Sequence, residues 1–71
     1  MFTYKAMSHN PRCSRVFNAQ GLFIGYVVHE GDGVYAAAIL NGEGPRMVRT
    51  GNTRKNAVKA ALDAIASGRK H

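Results

Sequence analysis

Three short turns rich in glycine and asparagine divide the middle of this chain into segments rich in β-branched and aromatic side chains. The turns are "NAQG" (18–21), "EGDG" (30–33) and "NGEGP" (41–45). Strands separated by such turns at short intervals are typical of consecutive hairpins. We therefore predict an antiparallel β-meander of three or four strands, formed by the segments "SRVF", "LFIGYVVH", "VYAAAIL" and "RMVRT".

The N-terminal residues 1–13 are expected to be a flexible segment or an edge strand. The run "FTYKAM" has the residues of a strand, and "SHNPR" follows it with Asn10 and Pro11, a pair that favours a turn. We predict that "SHNPR" is a loop and that the folded core spans residues 14–67.

The stretch "TGNTRKNAVKAALDAI" predicts one C-terminal amphipathic helix from about Asn52 to Ser67. Asn52 or Thr53 can cap its start, and Gly68 can cap its end, followed by a basic tail at 68–71. The alanines of "VYAAAIL" would let this helix approach the strand closely. The apolar stripe that should face the sheet contains Ala57, Val58, Ala61, Leu62 and Ile65. The predicted fold is α+β, a β-meander packed by one helix (β-β-β-α) in a single domain.

Composition argues against several classes of function. The four acids are scattered or lie in turns, and the three histidines lack metal-ligand spacing, so we predict neither an enzyme nor a metal or cofactor site. The single cysteine permits no intramolecular disulfide, and no apolar run is long enough to span a bilayer. We expect a cytoplasmic protein without a membrane partner.

The charge is the strongest functional signal. Ten lysines and arginines face four acids, for a net charge of +6. A helix start disfavours cations, yet Arg54 and Lys55 lie there. A phosphate would reverse that penalty, so we predict a nucleic-acid-binding protein, with DNA and RNA both open. The predicted phosphate contacts are Arg46, Arg49, Arg54, Lys55 and Lys59. Tyr26 and Tyr35 are candidates for base stacking if they do not lie in the core.

A pattern of small and apolar positions spans residues 21–66. It includes Gly25 and Val27, then "YAAAI", an "NG" turn, and a helix with Ala57, Ala60, Asp63 and Ala64. This pattern resembles the three-stranded-sheet-plus-helix DNA-binding domains of plant ethylene-response factors and integrase arm-binding modules. The resemblance implies DNA recognition by the open face of the sheet, with Tyr35 in the aromatic position.

Two further families are similar over the helix start. The helix start resembles the second half of a double-stranded RNA-binding domain, in which a basic helix start binds phosphates. The matching residues are Thr53, Arg54, Lys55 and Ala57. The "Y-x-A" and "TGNT" elements resemble HicB-like antitoxins. An alternative function is that of a phage-type accessory protein that binds and inhibits a host protein through its basic face. An edge strand, either "RMVRT" or "FTYKAM", could also join two copies into a homodimer.

Overall fold

A computed structural model describes residues 2–42 and 44–68 of the chain as a single sheet covered on one side by a helix. All neighbouring strands are antiparallel, and their order in the sheet follows the sequence, β1-β2-β3-β4-β5. The predicted α+β class is confirmed, but three or four strands understate a sheet of five. The elements are β1 (Thr3–Met7), β2 (Asn10–Phe17), β3 (Phe23–Gly31), β4 (Val34–Ile39), β5 (Met47–Gly51) and α1 (Arg54–Gly68).

The prediction of a loop at "SHNPR" is wrong. Strand β2 begins at Asn10 and therefore contains Pro11, and the turn after β1 is confined to Ser8 and His9. Proline is tolerated at the start of a strand, where its missing N–H interrupts little of the ladder. Most of the described N-terminal segment, 3–7 and 10–13, thus belongs to the sheet, with β1 as one of its two edges.

The turn between β3 and β4 shows why the glycine-rich segments were reliable signals. Gly31 pairs with Val34 across a two-residue loop formed by Asp32 and Gly33. Both loop residues have positive φ angles, 50° and 73°. This is the backbone that Asp-Gly hairpins favour, because its twist matches that of the flanking strands.

Helix α1 begins two residues later than predicted, because Thr53 is the capping residue. Its Oγ1 accepts a hydrogen bond from the Asn56 amide at 3.0 Å, as an N-cap does. Of the predicted apolar stripe, Leu62 is only half-buried, and Gly68 is the last helical residue rather than a cap beyond the end. The rest of the predicted basic tail, 69–71, lies outside the described residues. The other four stripe residues are buried: Ala57, Val58, Ala61 and Ile65.

The helix packs mainly on β5 and β4 and reaches β3. The core lies between them, where Val16, Val27 and Ile39 from the sheet meet the helix. Gly51 allows this close approach, because a Cβ at that position would lie 2.6 Å from the Ala57 nitrogen. Of the three central alanines of β4, only Ala37 is fully buried in this core.

An irregularity between β2 and β3 changes the faces that alternation predicts. The register shifts between Val16 and Phe17, so Gly25 pairs with Val16 while Phe23 pairs with Phe17. Simple alternation would put Phe23 on the helix side and Ile24 on the other. Instead Ile24 packs against the core, and the Phe23 ring contacts Tyr26 on the opposite face. The bulge thus moves an aromatic ring onto the face that the helix leaves uncovered.

Candidate nucleic-acid interface

The five predicted phosphate contacts, here called the helix-start cluster, are all exposed. Four of them belong to β5 and α1, which pack against each other across the two-residue connection 52–53. Arg46 lies apart, at the other end of β5, about 16 Å of extended chain from Gly51. The members are Arg46, Arg49, Arg54, Lys55 and Lys59.

Arg49 lies on the helix side of β5, since it stands opposite the buried Ala37. Its Nη1 donates a hydrogen bond to the Val48 carbonyl at 2.8 Å, which leaves its other N–H groups available. Lys55 and Lys59 follow each other at i, i+4 on the helix, a spacing at which like charges repel. The nearest helical acid, Asp63, lies one further turn along.

The first turn of α1 has unused hydrogen-bond donors beside these cations. Thr53 accepts bonds from the amides of Asn56 and Ala57 through its side chain and its carbonyl. Within residues 2–42 and 44–68, neither the Arg54 nor the Lys55 amide donates to an acceptor. Free amides and the positive end of the helix dipole favour an anion at this position.

Tyr35 lies beside the helix start, but its ring already has neighbours. The His29 imidazole stacks on it with a centroid distance of 4.6 Å and an interplanar angle of 15°. The Arg54 guanidinium lies over the same ring, 5.2 Å from its centroid. A base stacking on Tyr35 would therefore compete with the His29 imidazole and the Arg54 guanidinium for the ring.

Tyr26, the second predicted stacking residue, lies on the opposite face of the sheet. It is half-buried and meets Phe23 edge to face at 5.2 Å, and Phe23 meets Phe17 in the same way at 5.9 Å. Phe23 is the most open of the three rings, with 39% of its surface exposed. Such edge-to-face contacts are a favoured arrangement of aromatic pairs and hold the rings in place.

Sequence reasoning missed two cations beside these rings. Lys5 and Arg15 stand directly opposite each other on β1 and β2, and Arg15 stands opposite Tyr26 on β3. The Lys5 ammonium lies over the Phe17 ring, 5.7 Å from its centroid. We call Lys5, Arg15, Phe17, Phe23 and Tyr26 the open-face patch.

Tyr4 lies on the edge strand β1 and packs against the core on the helix side of the sheet. Its hydroxyl is buried without a hydrogen-bond partner. Burial raises the pKa of this hydroxyl, and the charge of Arg54 offsets part of that increase. An unpartnered buried hydroxyl lowers stability.

The described residues contain no cluster of histidine, cysteine, aspartate or glutamate that could hold a metal ion. Among the described residues, no helix is long and apolar enough to cross a bilayer. Comparison with protein-family models, with curated proteins and with solved structures finds no match for this chain.

Proposed function

We propose that this chain is a small nucleic-acid-binding protein whose helix-start cluster contacts phosphates. The observation that carries the proposal is the set of five exposed cations in fourteen residues, 46–59, that contain no acid. Two of them, Arg54 and Lys55, lie in a helix turn where, within the described residues, their own amides have no acceptor, and Arg49 and Lys59 lie on the adjoining β5 and α1. A phosphate would accept hydrogen bonds from both the amides and the cations.

The energetics of folding support a ligand at this position. A cation in the first turn costs about 0.3–1 kcal/mol, and the repulsion of Lys55 and Lys59 adds a few tenths. Arg54 recovers part of this by its contact with Tyr35, since a cation over an aromatic ring contributes about 0.5–1 kcal/mol at exposed sites. Among the described residues Lys55 lies over no aromatic ring, so its position is the better indicator of an anion.

The test is a double variant, Arg54→Gln with Lys55→Gln, measured by fluorescence anisotropy against duplex DNA, duplex RNA and single strands over a salt series. We expect weaker binding and a flatter salt dependence. For duplex DNA the slope should fall by nearly two units, about 0.9 for each lost phosphate contact. Arg12→Gln is the matched control, because Arg12 is an exposed cation on β2 that does not belong to the helix-start cluster.

A double variant that binds each nucleic acid as the parent does would refute the site. A parent chain with no measurable affinity for any of them at moderate salt would refute the function. That result would favour the alternative, in which the same cations dock on an acidic host protein. A pull-down from host lysate, repeated with the double variant, would test it.

We also propose that the protein is cytoplasmic, and the homodimer stays a prediction. The only cysteine, Cys13, is free and buried, as is common in a reducing compartment. Strands β1 and β5 are the two edges of the sheet, so both segments predicted to join protomers lie where another strand could pair. Light scattering at several concentrations would detect such a dimer.

A further inference from the structure

We infer that the open-face patch is a stacking surface for unpaired nucleotides, which makes single-stranded nucleic acid the substrate class of this protein. The inference rests on the proposed function, because it names the kind of nucleic acid that the protein takes. It uses residues on the side of the sheet opposite the helix, none of which belongs to the helix-start cluster.

The two cations of the open-face patch are arranged as in a binding site for a polyanion. Lys5 and Arg15 form a directly opposed cross-strand pair of like charges, an arrangement that destabilises a sheet. Their row continues through Tyr26, Ala38 and Val48 and contains no acid. The nearest acid along β3, Glu30, is four residues from Tyr26, about 13 Å away.

The rings of the patch complement these charges. Phe17 and Phe23 contact each other, and the Lys5 ammonium lies over the Phe17 ring. A cation is thus held beside a ring whose neighbour, Phe23, is open to solvent. A nucleotide has the same pairing of groups, since its base can stack on an aromatic ring while its phosphate meets a cation.

The chemistry favours single strands over duplexes. In a duplex each base is stacked between its neighbours, so its faces are not available to a protein ring. Unpaired bases expose their faces and bind aromatic platforms with little dependence on sequence. The exposed Phe23 ring, with its aromatic neighbours and the adjacent cations, would therefore select strand state rather than sequence.

The chain has no tryptophan, so Phe23→Trp places a single fluorophore on the proposed surface. We expect a single-stranded oligonucleotide to quench its emission, and the duplex of the same sequence to leave it nearly unchanged. The control is Ala66→Trp, at an exposed position in the last turns of α1. Equal quenching by single strand and duplex, or no quenching by either, would overturn the inference.

Affinity measurements complete the test. Phe23→Leu keeps an apolar side chain but removes the ring, and we expect single-strand binding about five-fold or more weaker. Arg15→Gln should flatten the salt dependence for single strands by about 0.7, and Arg12→Gln, on the same strand, should not. Thermal melts of each variant exclude loss of folding as the cause.

The outcomes separate this inference from the proposed function. If patch variants bind single strands like the parent while the Arg54→Gln, Lys55→Gln variant does not, the helix-start site stands and the stacking surface is refuted. If only the patch variants lose affinity, the stacking surface stands and the helix-start site is refuted. An acidic peptide that competes fully with single strands in the anisotropy assay would also overturn the inference, because stacking should favour bases.

Discussion

The two faces of the sheet carry similar side chains but use them differently. On the helix side, the Tyr35 ring contacts both the Arg54 guanidinium and the His29 imidazole, so this cation and these rings already interact within the protein. On the open side, Lys5 and Arg15 oppose each other beside rings that contact only edge to face. The open face therefore has cations beside the exposed Phe23 ring, whereas the helix side has exposed cations beside amides without an acceptor among the described residues.

The largest expected effects concern the two glycines that shape these faces. A Cβ at Gly51 would lie 2.6 Å from the Ala57 nitrogen, and one at Gly25 would meet the Ala38 carbonyl and lie 2.9 Å from the Ile39 Cα. These neighbours are backbone atoms that cannot move aside, so each alanine substitution should lower the free energy of unfolding by about 3 kcal/mol. Urea denaturation followed by circular dichroism measures the change.

Gly68→Ala is the control for both substitutions, because a Cβ there meets no atom within 4 Å. It should leave stability unchanged or raise it by about 0.5–1 kcal/mol. A Gly51→Ala variant as stable as the parent would contradict the close packing of the helix on β5. A Gly25→Ala variant as stable as the parent would contradict the close packing of β3 against β4.

An intermediate effect is expected at Tyr4, where β1 reaches the helix-side core. Tyr4→Phe removes a buried hydroxyl that has no partner, so the free energy of unfolding should rise by about 1 kcal/mol. Tyr26→Phe, which alters the half-buried ring on the open face, should change stability less. Equal effects of the two substitutions would contradict the assignment of the Tyr4 hydroxyl as buried without a partner. Thermal and urea unfolding provide the measurement.

The same residue predicts a dependence on alkaline pH. The pKa of Tyr4 is raised above its ordinary value of 10.0 by burial, so the unfolded chain releases this proton more readily than the folded one. The contribution of Tyr4 to stability is complete below pH 10 and decreases as pH rises through the folded pKa. Tyr4→Phe should lose less stability than the parent over that range.

The smallest expected effect is on the opposed cations of the open face. Arg15→Glu converts the like-charge pair with Lys5 into an attractive one and should raise the free energy of unfolding by about 0.2–1 kcal/mol at low salt. The gain should diminish at high salt, since exposed charges are screened. Arg12→Glu, three residues away on β2, is the matched control. Equal gains in both variants would mean that lower net charge, not the pair, is responsible.

The two surfaces also differ in how far the sequence could reveal them. The helix-start cluster lies in one continuous segment, so its cations and its cap were visible as a run of residues. The open-face patch combines residues from β1, β2 and β3, and Phe23 reaches it only because the bulge reverses the alternation. Register shifts depend on tertiary packing around Gly25, which no local pattern encodes.

For the fold, the turns carried most of the information. Glycine, asparagine and aspartate at "EGDG" specify a hairpin through positive φ angles, so β3 and β4 were predictable. Pro11 predicts a break in the chain, yet it lies in β2, because a proline near the first residue of a strand is tolerated. The helix was predictable from its apolar spacing, but Leu62 is half-buried because the helix covers only part of the sheet.

The sequential order of the strands has a consequence for the route by which the chain folds. Every ladder joins strands that are consecutive along the chain, so each hairpin of the sheet closes a short loop, which favours rapid formation of the sheet. Helix α1 comes last and packs on the core residues Val16, Val27 and Ile39. During synthesis the sheet can therefore form first with the helix side of these residues exposed to water. The nascent chain becomes protected from aggregation only when the residues of α1 have emerged and docked.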